Sequence, residues 1–338
     1  MISESKKPSQ DYTRVGFIGV GPHAKNVLLP ALKTVQGISL VAISSRSLER
    51  AEQYAEQYGV SYYTDSWQEL IDPKLVSCVF VAGPPQLHVE VLRMCLEKSI
   101  SVFVEKPPAL NLDDLKTLVD LEKSSNAIAF VDYNFRFSET FLNTLELLGG
   151  KNTIRCLKVR CISSKPMQPL WSCATVIESY LYAVGIHAIE MTTTLFGEPK
   201  DILASICCLS EEKFTLNLVL DFNDDRKATL DLGNYSDRFD YSCEIINNTG
   251  LVATIIQHNR IQCTGLHTQI VAPEAFKKNT LLEYTWPSLH GGYACSGYSS
   301  AIESFVRSVR LRMPSESPLA NSVPVFNVIN RTILQILV

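Results

Sequence analysis

The sequence predicts an α/β chain of two domains: a doubly wound parallel sheet over residues 12–133, then an α+β domain over residues 134–338 with a large, mostly antiparallel open sheet. Three observations carry this prediction. Strand-like and helix-like patterns alternate from Val15 to Tyr133, as a parallel sheet with crossover helices requires. The run Val76–Ala82 is almost continuously apolar, the mark of a strand buried on both faces. From Ile202 onward, short strand-like segments follow one another with turn residues between them, as in an antiparallel meander.

In chain order, Val15–Ile18 is a short apolar strand that runs at once into Gly19-Val20-Gly21-Pro22-His23-Ala24 and a helix-like stretch to Val35. This is G-x-G-x-x-A in strand–turn–helix context. The first glycine permits a tight turn, the second lets the backbone approach a pyrophosphate, and the small Ala24 lets helix pack on strand. The helix N-terminus then receives the phosphates, so a dinucleotide is the expected cofactor. Pro30 inside the stretch predicts a kink or break. The next strand, Ile38–Ile43, ends in Ser44-Ser45-Arg46-Ser47, where an NAD-preferring site would carry an acid for the ribose 2′-hydroxyl. Serines and an arginine suit a 2′-phosphate instead, so NADP(H) is the expected preference, with NAD(H) possible. Ser47 could equally cap the helix Leu48–Tyr58, which Gly59 ends. Ser66-Trp67-Gln68-Glu69 reads as a capping box. Val76–Ala82 ends in Gly83-Pro84-Pro85, a strand-end loop on the ligand side, and His88 either lines the cofactor cleft or caps backbone.

The strand from Val102 then runs into Glu105-Lys106-Pro107-Pro108. An ammonium at the end of a buried strand is costly unless it is paired or used, and Pro107 biases Lys106 to an extended backbone. Lys106 is therefore read as a functional amine with Glu105 beside it. A helix Leu112–Lys123, capped by Asn111, and a strand Ala127–Tyr133 complete the domain.

Composition excludes several classes. With 31 Lys and Arg against 35 Asp and Glu, and no basic cluster, nucleic acid is not an expected partner. No apolar run approaches a membrane span, the first dozen residues read as loose and polar, and a cytoplasmic protein is expected. The ten cysteines are scattered without C-x-x-C spacing and read as reduced, and the six histidines form no metal-ligating cluster, so no metal is expected.

In the second domain, Asn134–Phe137 leads into a helix towards Leu148, and Ile154–Ile162 alternates as a strand. Thr175–Phe196 reads as one long helix ended by Gly197. Strand-like segments follow at Ile202–Leu209, Phe214–Phe222, Ala228–Tyr235, Tyr241–Ile246 and Val252–Gln257, the series running on to Trp286. Helices Ser299–Leu311 and Val325–Leu337 close the chain. Helices on one face of the sheet leave the other uncovered, which predicts a homodimer or homotetramer through this sheet.

With these segments in place, the chain resembles the Gfo/Idh/MocA oxidoreductase family over nearly its whole length. Glu105-Lys106-Pro107 is similar to the family's EKP motif, Gly185-Ile186-His187-Ala188-Ile189-Glu190 to its G-x-H-x-x-D signature, and Asn134–Phe137 to its N-x-R-F stretch. The resemblance implies a Rossmann domain, a small-molecule substrate such as a sugar or cyclitol, and a lysine contacting nicotinamide and substrate. It places Glu105, Lys106, Asn134 and Arg136 along the cofactor cleft. One departure concerns the aspartate that the family usually carries four residues before the histidine, where this chain has Ala183. Tyr180, seven residues before His187, would share its helix face and is expected to help relay the proton. The expected activity is an NADP(H)-dependent hydride transfer at a hydroxyl or ketone carbon, with Lys106, His187 and Tyr180 as its catalytic residues. The competing reading is a catalytically silent dinucleotide-binding regulator or scaffold of the same fold, which Ala183 favours.

Overall fold

The computed structural model describes residues 12–264, 282–285 and 295–336. The expected looseness of the first dozen residues, Tyr12 apart, and the segment ends expected at Trp286 and Leu337 lie outside the described residues. The chain divides into two compact units, Met1–Asp132 with Ser299–Ala320, and Tyr133–Tyr298 with Asn321–Val338.

The first unit holds a parallel sheet of six strands, β1 (Thr13–Ile18), β2 (Ile38–Ser44), β3 (Tyr62–Thr64), β4 (Cys78–Val81), β5 (Ser101–Glu105) and β6 (Ala129–Asp132), in the order β3-β2-β1-β4-β5-β6. β3 is the strand the sequence did not reveal, because three residues are too few to show alternation. The helices are α1 (Leu29–Thr34), α2 (Leu48–Tyr58), α3 (Pro85–Glu97) and α4 (Leu112–Ser124). Pro30 does not break its helix. A π-turn at Ala24–Leu28 precedes α1 and places the proline at its start, where its missing N–H costs little. Ser47 caps α2 by accepting from Arg50 N, and Asn111 caps α4 by accepting from Asp114 N at 2.8 Å. The capping box at Ser66 does not form: Trp67–Leu70 is a single 3₁₀ turn, and Glu69 accepts instead from the Tyr62 hydroxyl at 2.9 Å.

The core of this unit is a phenylalanine ladder. Parallel register sets Phe17 beside Phe80, Phe80 beside Phe103 and Phe103 beside Phe130, with centroids 6.3, 4.7 and 5.3 Å apart. Phe305, fully buried on the helix Tyr298–Leu311, packs edge-on against Phe80, Phe103 and Phe130 at 5.5, 5.6 and 5.9 Å. This helix, which sequence order places in the second domain, packs on the first sheet. Ser317 then covers the open edge of β6: Val131 N donates to its carbonyl at 2.8 Å, and its hydroxyl donates to Val131 O at 2.7 Å.

The second unit is built on an eight-stranded sheet in the order β14-β13-β12-β11-β7-β10-β9-β8. Its strands are β7 (Ile154–Ile162), β8 (Asp201–Cys208), β9 (Phe214–Asp221), β10 (Lys227–Gly233), β11 (Asp240–Asn247), β12 (Val252–Ile256), β13 (Arg260–Thr264) and β14 (Leu282–Thr285). The meander is split. β7 inserts between β10 and β11 and pairs parallel with β10, so the sheet is mixed at its centre. Helix α5 (Glu139–Leu147) follows the 3₁₀ turn Asn134–Phe137, and the expected long helix is α6 (Val176–Tyr180), a π-turn (Leu181–Gly185) and α7 (Ile186–Phe196). The helix Ser322–Ile336 covers the edge strand β8, where Gln335 accepts from Ala204 N and donates to Ile202 O at 2.9 and 2.7 Å. The other face of the sheet carries cross-strand ion pairs, Lys158 with Glu244 at 2.6 Å and Arg160 with both Asp231 and Asp240.

Candidate active site

In the first unit the strand order reverses between β1 and β4, and the ligand crevice of such a sheet lies beyond the carboxyl ends at that point. The glycine loop leaves β1 there. Gly19 has φ +91°, and a Cβ on it would lie 2.1 Å from Ala82 O, so only glycine lets the loop turn against the end of β4. Around Gly21 nothing lies within 4 Å of where a Cβ would stand, which leaves its backbone open to approach. Pro22 and His23 are exposed at the start of the helix, while Ala24 is 1% exposed and packs inward. Gly19 N donates to Ser44 O at 2.9 Å, tying this loop to the end of β2. These features fit a dinucleotide, with the phosphates on the loop and a ribose towards β2. At that second strand end Ser44 and Ser45 are buried and Arg46 is exposed, so of the three only Arg46 presents its side chain to solvent.

The ends of β5 and β6 hold a buried polar cluster. Glu105 is 5% exposed, and its Oε1 lies 2.7 Å from Nε2 of His23, which reaches over from the glycine loop. Register puts Glu105 beside Asp132, which is fully buried and whose oxygens meet no N–H or hydroxyl donor. Burial above all, and then the charge of Glu105, push the Asp132 carboxyl well up; only Lys106 opposes them. Burial also pushes Glu105 up, but the His23 ring, Lys106 and a hydrogen bond with Asp132 outweigh it and hold Glu105 below its ordinary value. Of the two carboxyls, Asp132 therefore holds a proton the more readily. Lys106 is partly exposed, and its peptide to Pro107 is cis.

His88 is 1% exposed and bridges two strand-end loops. Its Nε2 accepts from Gly83 N at 3.1 Å, so Nδ1 carries the hydrogen and donates to Pro107 O at 2.9 Å. Burial lowers its basicity more than the Pro107 bond and Glu105 raise it, which keeps the ring neutral. Of its two expected tasks, fixing backbone is the one the geometry shows. Pro84 is exposed and stands at the N-cap of α3.

In the second unit His187 lies on α7, 6% exposed, its ring stacked on Phe135 at 4.0 Å and 11°. Phe135 meets His258 edge-on at 4.3 Å, and His258 stacks on Tyr241 at 4.0 Å. Burial pushes His258 down to about 3, so it is a neutral ring within this aromatic group. Asn134 donates to Ser296 O at 2.8 Å, and Arg136 pairs with the buried Glu190 at 3.1 Å. Burial pushes Glu190 up, against Arg136 and the Thr194 hydroxyl, which donates to it at 2.7 Å. Both Asn134 and Arg136 therefore hold the second unit together, and the link from Arg136 to Glu190 joins two motifs that sequence reading treated separately. Tyr180 has to be corrected. The π-turn rotates everything after it by about 100°, so Tyr180 and His187 do not share a helix face. Tyr180 is fully buried, donates its hydroxyl to Cys161 O, and is edge-on to Phe214, a packing role without access to substrate.

Residues 13–133 match the profile of the Gfo/Idh/MocA oxidoreductase family, described as having an NAD-binding Rossmann fold. The similarity to this family is thus carried by the first domain. Among relatives, the chain is similar to myo-inositol 2-dehydrogenase of Thermotoga maritima, 28% identical over 205 residues that cover 59% of this chain and 60% of that protein. It is also similar to the NADP(+)-using scyllo-inositol 2-dehydrogenase of Bacillus subtilis, 23% identical over 190 residues, 54% of this chain and 58% of that one. The chain spans about three fifths of the length of such curated relatives. A dehydrogenase structure from Chromobacterium violaceum superposes with a TM-score of 0.88 at 24% identity, covering 96% of this chain and 95% of the other, which establishes the shared fold.

Three residues of these clusters escaped sequence reading: Asp132, Phe135 and His258. Asp132 left a signal, since it is an acid inside an apolar strand directly before Tyr133. Phe135 and His258 left none, because they are more than a hundred residues apart and meet only through the fold.

Proposed function

We propose that this protein is a dehydrogenase acting on a hydroxyl or ketone carbon of a polyol or sugar-like substrate, using NADP(H) in preference to NAD(H). The observation that carries this is Lys106, a lysine directly after the carboxyl end of a central strand, next to the buried carboxyls of Glu105 and Asp132, which register sets side by side. Gly19, Gly21, Pro22, His23 and Ala24 would hold the phosphates, and Arg46 would meet a ribose 2′-phosphate through a charge-assisted bond. The bound nicotinamide supplies hydride chemistry. Lys106 polarises the substrate oxygen and moves its proton, and His187, its ring plane fixed by Phe135, relays it. The inositol dehydrogenases among the relatives support a polyhydroxylated substrate. We further propose assembly into a homodimer or homotetramer through the ion-paired face of the large sheet.

Ala183 supports one other reading, a dinucleotide-binding protein without turnover. A panel of polyols, ketoses and nucleotide sugars, followed by nicotinamide absorbance with each cofactor, separates the two. Turnover should appear and fall by on the order of 10²–10⁴ in Lys106→Ala, with cofactor affinity retained, and fall less in His187→Ala. No turnover by wild type or by Ala183→Asp would leave the silent reading standing.

A further inference from the structure

We propose that His88 is the positioning residue of Lys106, holding the turn that carries the amine at a set distance from the loop that ends β4. The proposal rests on the dehydrogenase reading for the task of Lys106 and on the first unit alone for its geometry. β5 ends at Glu105, the last residue of that strand paired with β6, so Lys106 is the first residue beyond the ladder. Pro107 and Pro108, which follow it, are buried and have no N–H, so neither can tie the turn down by donating from its own amide. A buried carbonyl at such a place needs a donor brought from elsewhere. His88 brings it, since its Nδ1–H donates to Pro107 O at 2.9 Å, on the residue next to Lys106.

The other ring nitrogen faces the neighbouring strand end. Nε2 accepts from Gly83 N at 3.1 Å, and Gly83 directly follows Ala82, whose carbonyl stands against Gly19 of the glycine loop. A backbone N–H can only donate, so the neutral ring with its one hydrogen on Nδ1 is the form that makes both bonds at once. The ring also hangs from a fixed element. His88 is the fourth residue of α3, a 13-residue helix that buries Val91, Leu92, Cys95 and Leu96. An imidazole that is 1% exposed costs desolvation that a leucine there would not, and the two bonds to backbone offset it. What they fix is the path of the chain through Lys106. Proton transfer needs the amine within hydrogen-bond reach of the substrate oxygen, and a displacement of about 1 Å costs on the order of 10²-fold in rate. His88 therefore acts on the reaction through Lys106.

Two amide side chains separate the two bonds. An asparagine amide reaches as far as Nδ1 and a glutamine amide as far as Nε2, so His88→Asn keeps the bond to Pro107 O and His88→Gln keeps the one from Gly83 N. Hydrogen exchange of Gly83 N–H in the resting protein reads the bridge: slow in wild type and in His88→Gln, and faster by about ten-fold or more in His88→Asn. Fast exchange in wild type overturns the proposal before any turnover is measured. With a polyol that the wild type oxidises, kcat should fall roughly 10–100-fold in His88→Gln and stay within about three-fold in His88→Asn, with cofactor Kd within about three-fold in both. In a Lys106→Ala background the loss caused by His88→Gln should vanish, because the amine it positions is gone. A loss in His88→Asn as large as in His88→Gln, an effect confined to cofactor Kd, or a full further loss on top of Lys106→Ala sinks the positioning role and leaves the dehydrogenase reading in place. If wild type turns over no polyol, the dehydrogenase reading falls and the role of His88 falls with it.

Discussion

At the scale of single residues, the end of β5 shows how a short motif acquires electrostatics that its letters do not contain. Glu105 and Asp132 are the same kind of acid, and burial raises both, yet His23 and Lys106 bring Glu105 below its ordinary value while the charge of Glu105 pushes Asp132 further up. The consequence for stability has a definite sign. Asp132 has a native value above its ordinary 3.8, so the unfolded chain loses this proton at a lower pH than the native state does. This group therefore weakens the wild type as pH rises above that value. Asp132→Asn, an isostere of the protonated acid, should match wild type in urea denaturation near pH 4 and gain on it progressively towards pH 8. A stability difference between variant and wild type that does not grow in the variant's favour from pH 4 to pH 8 contradicts the assignment. Arg46 carries a second prediction. Its 2′-phosphate contact is worth about 1.5–3 kcal/mol, so Arg46→Ala should weaken NADPH roughly ten-fold or more and leave NADH nearly unchanged. Equal titrations for both cofactors in wild type would remove the preference.

At the scale of elements, the phenylalanine ladder ties β1, β4, β5 and β6 to one helix from the far end of the chain. Aromatic pairs at these separations add to ordinary burial, and Phe305 has no solvent exposure. Phe305→Ala should destabilise the first unit by about 3–5 kcal/mol, seen as an earlier denaturant midpoint for that unit. A change below about 1 kcal/mol would mean that the helix Tyr298–Leu311 does not hold the sheet. The π-turn at Leu181–Gly185 works at the same scale. By rotating α7 relative to α6 it gives Tyr180 to the core and His187 to the Phe135 stack, a division that an uninterrupted helix would not produce.

At the scale of the whole molecule, the proposed assembly rests on a sheet face that carries charged side chains. Its outward side chains satisfy one another, as in the pair Lys158 and Glu244 and in the bridges of Arg160 to Asp231 and Asp240. Exposed pairs of this kind contribute little to folding, about 0–1 kcal/mol each, so they can serve an interface at small cost to the subunit. Thr229→Arg, in the middle of that face and beside Lys158 in register, should shift sedimentation from a multiple of the 37.7 kDa chain towards a single copy. Wild type that sediments as a single copy at all concentrations would end the assembly proposal.

The sequence by itself determined the parallel sheet of the first unit and the glycine loop, because alternation, apolar runs and turn glycines act over a few neighbouring residues. It also singled out Lys106, an ammonium where burial alone would not put one. It did not show the three-residue β3, the parallel pairing of β7 with β10, or the return of Phe305 to the first sheet. These are choices among distant partners, and a local pattern of hydrophobicity is the same whichever partner is chosen. The raised proton affinity of Asp132 and the stacking of His187 on Phe135 lie wholly on this side. Each depends on how far water is excluded and which side chain arrives from a separate strand or turn, and only the folded chain fixes either.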